Sequence, residues 1–384
     1  METASRCPPA IDAALEAAAE QLRAAGADES LLAHALETAR VTGALTEHAE
    51  LSLAVLGASL GPAPASLAAV LDNVLPPEAL RYRQQLQQLG ELRLGADWRP
   101  EQGIGRNQAE TLRRMLIATA SDPRLIVARL AAVLTGLRAA KTLPEPERRA
   151  RAIEARAVYV PLANRLGIWQ LKWELEDLAF RYLEPQPYAQ IAQALAERRV
   201  DRERYIAELV AEFSAALTAA GIDAEVHGRP KHIYSIWRKM QRKQLAFEQI
   251  FDVRALRIIC KSIPDCYAAL GLVHGRYRFI PGEFDDYIAT PKDNHYRSIH
   301  TAIIGPQDKA VEVQIRTREM HEHAELGIAA HWRYKEGGPR DLRQEQRIEW
   351  LRQMLASPAA QAPSEDFLEQ IRGELFRDRV YALT

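Results

Sequence analysis

The stretch "GIDAEVHGRPKHIYSIWRKMQRK", residues 221–243, marks the point where the sequence pattern changes from helix alone to strand and helix. A short strand-like run, 223–228, leads into a turn at Gly228 and Pro230, because proline is favoured near the first position of a helix. Four more strand-like runs follow: "VRALRIIC" (253–260), "YRFI" (277–280), "HTAIIG" (300–305) and "AVEVQIRT" (310–317). Strands that alternate with helices predict an α+β domain with a small mixed sheet flanked by helices.

Upstream of this point the pattern is helical, and 384 residues are too many for one ordinary core. We expect an all-helical domain over residues 1–160, a helical connector over 161–215, the sheet domain over 216–340 and a helical linker over 341–384. Breaks in the first domain are expected near Gly61, Pro76 and Pro144 and over residues 95–105, whereas residues 160–185 are expected to form one continuous helix.

Composition excludes several classes of protein. Lys and Arg number 50 against 51 Asp and Glu, so a bulk binder of polyanions is disfavoured, although local basic patches remain possible. The longest uncharged run, 51–71, contains two prolines and two glycines, which predicts two buried helices rather than a membrane span. Cys7, Cys260 and Cys266 fit neither zinc spacing nor a disulfide framework, and the first residues lack a signal peptide's apolar core. We therefore expect a cytoplasmic protein with reduced thiols.

The predicted helix after Pro230 has two chemically distinct sides. At about 100° per residue, one side is apolar. It carries Ile233, Ile236, Trp237 and Met240. The other side carries Lys231, Ser235, Arg238, Lys239 and Arg242. No acid occurs between Val226 and Phe247, so this side is either a solvated basic face or a contact for nucleic acid or a polyphosphate.

The run "AVEVQIRT" alternates with the period of a strand. Val311, Val313 and Ile315 are expected to face inward. Glu312, Gln314 and Arg316 then share the other face, which is either an ordinary polar face or a site for a metal-bound nucleotide. Asp252, in "FDVRALRII" (251–259), supplies a second carboxylate. Asp252 and Glu312 together are the minimum needed to bind magnesium and activate a hydroxyl, provided that the fold brings them together.

The segment "EFDDYIATPKDNHYRSIH", residues 283–300, combines acids, an amine, an amide and an aromatic ring. A magnesium-bound nucleotide would use all of these groups, since phosphates need cations and a base needs a stacking partner. His321 and His323 are two positions apart on a predicted helix and point in nearly opposite directions, so surface or packing roles are expected for both. The sequence has no P-loop, so side chains must hold the phosphates.

Five ordered motifs give the chain a family resemblance: "GRPKHIYSIWRKM", "FDVRALRII", "EFDDYIATPKDNHYRSIHT", "VEVQIRT" and "HAELGIAAHWRYKEG". They resemble the synthetase domain of the RelA/SpoT family, and the resemblance extends upstream through "PLANRLGIWQLKWELEDLAFRYL". It implies a nucleotidyltransferase-like domain that needs Mg²⁺. The implied reaction transfers pyrophosphate from ATP to the ribose 3′-hydroxyl of GDP or GTP, releases AMP and forms ppGpp or pppGpp.

The resemblance also implies roles for individual residues. Glu312 corresponds to the base for the 3′-hydroxyl, and Asp252 with Glu312 to the metal ligands. The positions implied for ATP are Arg229, Lys231, Ser235, Lys239, Arg242, Arg257 and Gln314. Tyr296 corresponds to the ring that stacks on guanine. The other positions implied for GDP or GTP are Lys292, Asn294 and His300.

An acidic motif separates this chain from bifunctional members of the family. Where those members carry a basic R-x-K-D, this chain has Glu283, Phe284, Asp285 and Asp286, a version that resembles the synthetase-only branch. We expect the acids to alter the demand for magnesium and to favour GDP over GTP. His295 replaces the glycine common before the stacking tyrosine, and histidine tolerates positive φ better than most residues.

The first domain resembles the HD-type hydrolase of bifunctional members, whose manganese needs His-Asp pairs. The chain contains no His-Asp dipeptide, its first 160 residues hold only His34 and His48, and the expected ligand region reads "LAVLGASLG" (53–61). A degenerate pseudo-hydrolase domain is therefore expected, acting as scaffold or regulator. The rival interpretations are an alarmone hydrolase and an RNA-binding module without catalysis.

The final residues, "FRDRVYALT" (376–384), resemble the opening of the TGS domain that follows the synthetase in long members of the family. This likeness implies a parent protein that binds the ribosome and uncharged tRNA through a C-terminal half. No membrane partner is expected.

Overall fold

The computed structural model describes residues 6–61, 64–90, 122–197, 199–229, 231–244, 247, 254–292 and 296–327. These residues belong to two compact units, one ending at Ala179 and one beginning at Phe180. Along the described residues, none of the helices combines the length and the apolar character that crossing a bilayer requires. The finer division predicted at residues 160, 215 and 340 stays a prediction, and residues 341–384 lie outside the described part.

The first unit is helical throughout its described residues, as predicted. Its helices are Pro9–Ala24 (α1), Glu29–Thr46 (α2), Ala49–Ser59 (α3), Ala65–Val74 (α4), Pro77–Gly90 (α5), Arg124–Ala139 (α6), Glu145–Glu154 (α7), Val160–Arg165 (α8) and most of Trp169–Leu183 (α9). The predicted breaks at Gly61, Pro76 and Pro144 are confirmed, and the one predicted over residues 95–105 lies outside the described residues. Helices α2, α3 and α6 supply much of the buried apolar core.

The prediction of one continuous helix over residues 160–185 was wrong. Helix α8 ends at Arg165 and α9 begins at Trp169. Between them Gly167 adopts a φ of 72°, a left-handed conformation that interrupts a helix and that glycine adopts without steric cost. Pro185 opens the next helix, because a proline at the first helical position removes an N–H that would have no intrahelical acceptor.

The second unit is built around a five-stranded sheet. Its strands are Ala224–Gly228 (β1), Ala255–Cys260 (β2), Phe279–Asp286 (β3), Ile299–Ile304 (β4) and Ala310–Thr317 (β5), in the spatial order β1-β2-β5-β4-β3. The β2–β5 pair is parallel and the other three pairs are antiparallel, so the predicted mixed sheet is confirmed. The unit's further helices are Pro185–Glu197 (α10), Arg199–Ala219 (α11), Ile233–Lys243 (α12), Ile263–Arg276 (α13) and Arg318–Leu326 (α14).

Strand β3 is longer than the predicted run 277–280. It continues past Pro281 and Gly282, where the pairing register with β4 shifts between Phe279 and Phe284 and Gly282 has a φ of 80°. Proline and glycine are tolerated there because β3 is an edge strand and the irregularity absorbs both residues. As a result, the acidic residues 283–286 form the end of a strand.

One face of the sheet forms the apolar core of the second unit. Val313 and Ile315 of β5 are fully buried against side chains of α11 and α13, among them Phe213 and Val273. Full burial of an aliphatic or phenyl side chain stabilises a fold by about 1.5–3 kcal/mol. Because side chains alternate along a strand, the residues between these core positions project from the opposite face.

Candidate functional site

A row of polar residues crosses the opposite face of the sheet. The strand register aligns one residue from each strand: His227, Arg257, Gln314, His300 and Asp285. Residues that are paired in register share a face of the sheet. Arg257 and Gln314, which the resemblance assigns to ATP, therefore lie in line with His300, which it assigns to the guanosine nucleotide.

Glu312 lies on the same face, two residues before Gln314 on β5. The Nε2 of Gln314 donates a hydrogen bond to Oε1 of Glu312 at 2.9 Å. His300 Nδ1 lies 3.5 Å from that oxygen, and Arg229 Nη1 lies 3.7 Å from Oε2. The carboxylate is therefore surrounded by donors and positive charge while its side chain stays 18% exposed.

The electrostatics of this site favour an ionised Glu312. Burial alone would raise the pKa of the Glu312 carboxyl, but Arg229, His300 and Lys231 hold that pKa below its ordinary value. A carboxylate that is ionised at neutral pH and only partly covered can accept a proton from a hydroxyl or bind a divalent cation.

Arg229 and Lys231 reach this site from the turn after β1. The backbone N–H of Arg229 donates to the carbonyl of Ala255 at 2.8 Å, which extends the β1–β2 ladder by one residue and places Arg229 beside β2. Pro230 lies outside the described residues. The two basic residues that precede helix α12 therefore lie close enough to Glu312 to act on its charge.

Helix α12 has the amphipathic arrangement expected from its sequence. Ile236 is fully buried and packs with Ile191 of α10, and Trp237 lies 4.9 Å from Phe180 between ring centroids. The predicted ATP positions on the other side are less covered: Ser235 and Lys239 are half-buried and Arg242 is exposed. Their contact with a nucleotide stays a prediction.

Aromatic and basic side chains gather on the other side of Glu312. Tyr296 Oη and His300 Nε2 lie 2.8 Å apart, and Lys292 Nζ lies 4.3 Å from the ring centroid of Tyr287 and 5.6 Å from that of Tyr296. The backbone N–H of Lys292 donates to the carbonyl of Tyr296 at 3.2 Å, which closes the loop between them. Three of the four predicted guanosine positions are thus brought together, and Asn294 lies outside the described residues.

His300 connects these two groups of side chains. Its burial lowers the pKa of the imidazole to about 4, and the positive charges of Lys292 and Arg229 act in the same direction. His300 is therefore neutral at physiological pH, and its two nitrogens face Glu312 and Tyr296 as hydrogen-bonding groups.

The residues of the acidic motif differ in their hydrogen bonds and in their exposure to solvent. Asp286 accepts hydrogen bonds from the N–H groups of Ile288 and Ala289 at 2.9 and 3.0 Å and from Tyr267 Oη at 2.9 Å, so its carboxylate stabilises the turn after β3. Glu283 and Asp285 are exposed. Of the three predicted specificity residues, Asp286 therefore has a structural role of its own, and a part in specificity stays a prediction for all three.

The sequence interpretation missed a cluster formed by Arg316, His321 and Glu325. Arg316 is only 1% exposed, and its Nη2 donates to His321 Nδ1 at 2.8 Å and to Glu325 Oε1 at 3.1 Å. Arg257 Nη2 lies 3.1 Å from the same carboxylate oxygen. Strand alternation had placed Arg316 on the face of Glu312, and Glu325 follows His321 by one helical turn, but neither signal shows that the residues meet.

Asp252, the second predicted metal ligand, lies outside the described residues. It precedes Arg254 by two positions in the sequence, and the backbone carbonyl of Arg254 accepts a hydrogen bond from the N–H of Glu312 at 3.0 Å. Of the two predicted metal ligands, Glu312 is therefore the one that the described residues contain.

The first unit shows what occupies the region predicted to be a degenerate hydrolase site. Leu53, Val55 and Leu56 of α3 are buried apolar residues. The hydroxyls of Thr38 on α2 and Thr135 on α6 lie 2.7 Å apart and form a hydrogen bond inside the core. Across the described ranges no group of three or more His, Cys, Asp or Glu side chains is arranged to hold a metal ion.

Two family models match the chain. The HD domain matches residues 10–169, and the region found in RelA/SpoT proteins matches residues 228–339. The GTP pyrophosphokinase of Escherichia coli is 55% identical over 284 residues, which cover 73% of this chain and 38% of that protein. A probable guanosine-3′,5′-bis(diphosphate) 3′-pyrophosphohydrolase of Synechocystis is 44% identical over 283 residues, covering 72% of this chain and 37% of that protein.

Among solved structures, the small alarmone synthetase 1 of Bacillus subtilis matches with 24% identity and a TM-score of 0.32 and covers 48% of this chain and 98% of that one. The chain spans well under half the length of the Escherichia coli relative. An HD domain is followed by the RelA/SpoT region, and the relatives resemble the chain across both. The chain belongs to the RelA/SpoT family.

Proposed function

We propose that this chain is a pyrophosphokinase that transfers the β,γ-pyrophosphate of ATP to the 3′-hydroxyl of GDP or GTP, releasing AMP and forming ppGpp or pppGpp. The observation that carries the proposal is the position of Glu312, an ionised carboxylate between a cationic group, Arg229 and Arg257, and an aromatic group, Tyr296 and His300. The relatives named GTP pyrophosphokinase support the same reaction.

In the proposed reaction, Glu312 accepts the proton of the ribose 3′-hydroxyl. The 3′-oxygen then bonds to the β-phosphorus of ATP, and the bond between that phosphorus and the oxygen bridging to the α-phosphate breaks, so AMP leaves with the electron pair. Negative charge develops on the bridging and transferred oxygens. Arg229, Lys231 and Arg257 are the cations placed to stabilise it.

The residues around Glu312 fit a magnesium ion. Oε2 of Glu312 lies 3.7 Å from Arg229, beyond hydrogen-bond length, so this contact leaves the lone pairs of that oxygen available. Mg²⁺ is typically held by one or two carboxylates together with substrate phosphates, and Glu312 with Asp252 would supply those carboxylates. When bound, the ion would neutralise phosphate charge and orient the triphosphate.

The proposal is tested by mixing the protein with ATP, GDP and Mg²⁺ and separating the nucleotides. We expect AMP and guanosine tetraphosphate to appear in equal amounts, and chelation of the metal to stop both. AMP without the tetraphosphate would indicate a different acceptor, and absence of both products would contradict the proposal.

A hydrolase is the second candidate, because an HD domain is present and one relative is named as a probable pyrophosphohydrolase. We propose that this activity is absent here, since apolar side chains fill the region 53–56. Manganese-dependent release of pyrophosphate from ppGpp would overturn that statement. An RNA-binding module is the third candidate, and RNA affinity without AMP formation would favour it.

We propose ATP and GDP or GTP as the small-molecule partners of this chain and the cytoplasm as its location. The substrates are cytoplasmic nucleotides, and the basic face of α12 together with Tyr296 provides groups for both. A ribosome and uncharged tRNA are proposed as further partners.

We expect the exposed acids of β3 to set the preference between GDP and GTP. In the double variant Glu283→Arg with Asp285→Lys, the KM for GTP should fall about 3- to 10-fold relative to that for GDP, because two exposed anions that repel the additional phosphate become cations. Steady-state kinetics with both acceptors over a range of Mg²⁺ concentrations measures the change.

Asp286 stays in place in this variant because it stabilises the turn. The matched control reverses the charge of two exposed acids of α11, Glu203→Lys with Glu208→Lys. It should leave the ratio of the KM for GTP to the KM for GDP unchanged. If the β3 variant keeps the wild-type ratio and magnesium demand, the acids do not determine specificity.

A further inference from the structure

One carboxylate on α14 contacts two guanidinium groups from neighbouring strands. Glu325 Oε1 lies 3.1 Å from Nη2 of Arg257 on β2 and 3.1 Å from Nη2 of Arg316 on β5. The three side chains are 23%, 14% and 1% exposed, respectively, so the contacts are largely shielded from solvent. Charges in such an environment interact more strongly than exposed charges do.

The cluster carries more positive charge than its carboxylate neutralises. Two guanidinium groups face one carboxylate, and within the described part of the chain neither Nε of Arg257 nor Nε of Arg316 has a hydrogen-bond partner. Burial, together with the charge of Arg316, lowers the pKa of Arg257 to about 10, and Glu325 opposes that shift. Without Glu325, the two guanidinium groups would repel each other across the gap between the strands.

His321 also holds Arg316, through the same Nη2 that contacts Glu325. Arginine only donates hydrogen bonds, so Nδ1 of His321 must accept from Arg316 at 2.8 Å and the imidazole must be neutral. Burial and the charge of Arg316 lower the pKa of His321 to about 3, which keeps the ring in that state at physiological pH. The position of Arg316 is thus set by two residues of α14.

Arg257 belongs to the polar row next to Gln314, on the face that carries Glu312. A guanidinium binds phosphate more tightly when it is held in one orientation before the ligand arrives, since ordering a flexible side chain on binding reduces affinity. The contact with Glu325 restricts Arg257 in this way while leaving a net positive charge for an anion.

We propose that Glu325 is a positioning residue for the ATP side of the site: it holds Arg257 toward the triphosphate by sharing its carboxylate between Arg257 and the buried Arg316. This inference rests on the proposed function, which supplies the role of Arg257. Glu325 itself does not touch the reacting atoms.

The test measures equilibrium binding of α,β-methylene-ATP and of GDP to the wild type and to Glu325→Gln by titration calorimetry with Mg²⁺. The methylene bridge blocks the bond that would break, so binding is measured without turnover. We expect the analogue to bind about tenfold more weakly to Glu325→Gln, because one partner of a shielded charge cluster is lost, and GDP to bind within about twofold of wild type. The matched control is Glu319→Gln, an exposed carboxylate of the same helix, which should bind both nucleotides as the wild type does.

A double variant separates positioning from general damage to the fold. Glu325→Gln with Arg316→Met restores the net charge of the cluster, so we expect it to bind the analogue more tightly than Glu325→Gln alone. Unchanged analogue affinity in Glu325→Gln would overturn the inference, as would equal losses for the analogue and GDP. A wild type that does not bind the analogue would instead contradict the proposed function.

Discussion

Glu312→Gln is expected to lower kcat for formation of the guanosine tetraphosphate by about 10³-fold, the range that loss of a general base produces. Glutamine has the same shape and can still accept the hydrogen bond that Gln314 donates to Glu312. It cannot take up a proton from the ribose hydroxyl. Quenched-flow or steady-state measurement of AMP formation at saturating ATP, GDP and Mg²⁺ gives the comparison.

The deficit of Glu312→Gln should not depend on pH in the neutral range. The pKa of Glu312 lies below its ordinary value, since the charges around it outweigh burial. A base with a depressed pKa is ionised at every pH above that value and is lost only as the pH falls through it. The ratio of wild-type to variant rates should therefore stay constant between about pH 6.5 and 8.5.

Glu208→Gln, a change to an exposed acid of α11, is the control for Glu312→Gln and should retain the wild-type rate. A loss of less than about tenfold in Glu312→Gln would show that another group or solvent accepts the proton, because general bases contribute about 10²-fold or more. Binding of α,β-methylene-ATP to the variant, measured separately, distinguishes a lost base from a lost metal site.

The period of two along β5 was enough to predict which face carries Glu312 and Gln314. It could not predict that Arg316 on that face would be almost fully buried, because the cover comes from α14, and sequence spacing does not show how a following helix packs. The contact between Glu325 and Arg257 joins residues far apart in the chain, and only the parallel pairing of β2 with β5 brings them together.

Local sequence signals were misleading where tertiary context overrode them. Pro281 and Gly282 read as the end of a strand, yet an edge position and a register shift let β3 continue through the acidic motif. Residues 160–185 have a helical pattern, but Gly167 within them takes a left-handed conformation that divides the helix. In both cases the residue type was compatible with the end of the element and with its continuation, and the tertiary packing decided between them.

Tyr296→Ala is expected to raise the KM for GDP by about 10- to 100-fold, since stacking of a base on an aromatic ring is worth about 1–3 kcal/mol and each 1.4 kcal/mol corresponds to a factor of about ten. The ring is already held in place before a nucleotide arrives. Its centroid lies 5.6 Å from that of His300 and 6.1 Å from that of Tyr287, both in edge-to-face contact. Steady-state kinetics with GDP varied at saturating ATP measures the effect.

Tyr296→Phe is the control that separates the ring from its hydroxyl. It keeps the stacking surface but loses the contact between Tyr296 Oη and His300 Nε2, so we expect a change in the KM for GDP of about threefold or less, the effect of one partly exposed hydrogen bond. The KM for ATP should change little in either variant, because the cationic residues lie on the other side of Glu312. If Tyr296→Phe were impaired as strongly as Tyr296→Ala, the hydroxyl and its position beside His300 would be the important feature, and stacking on guanine would not explain the binding.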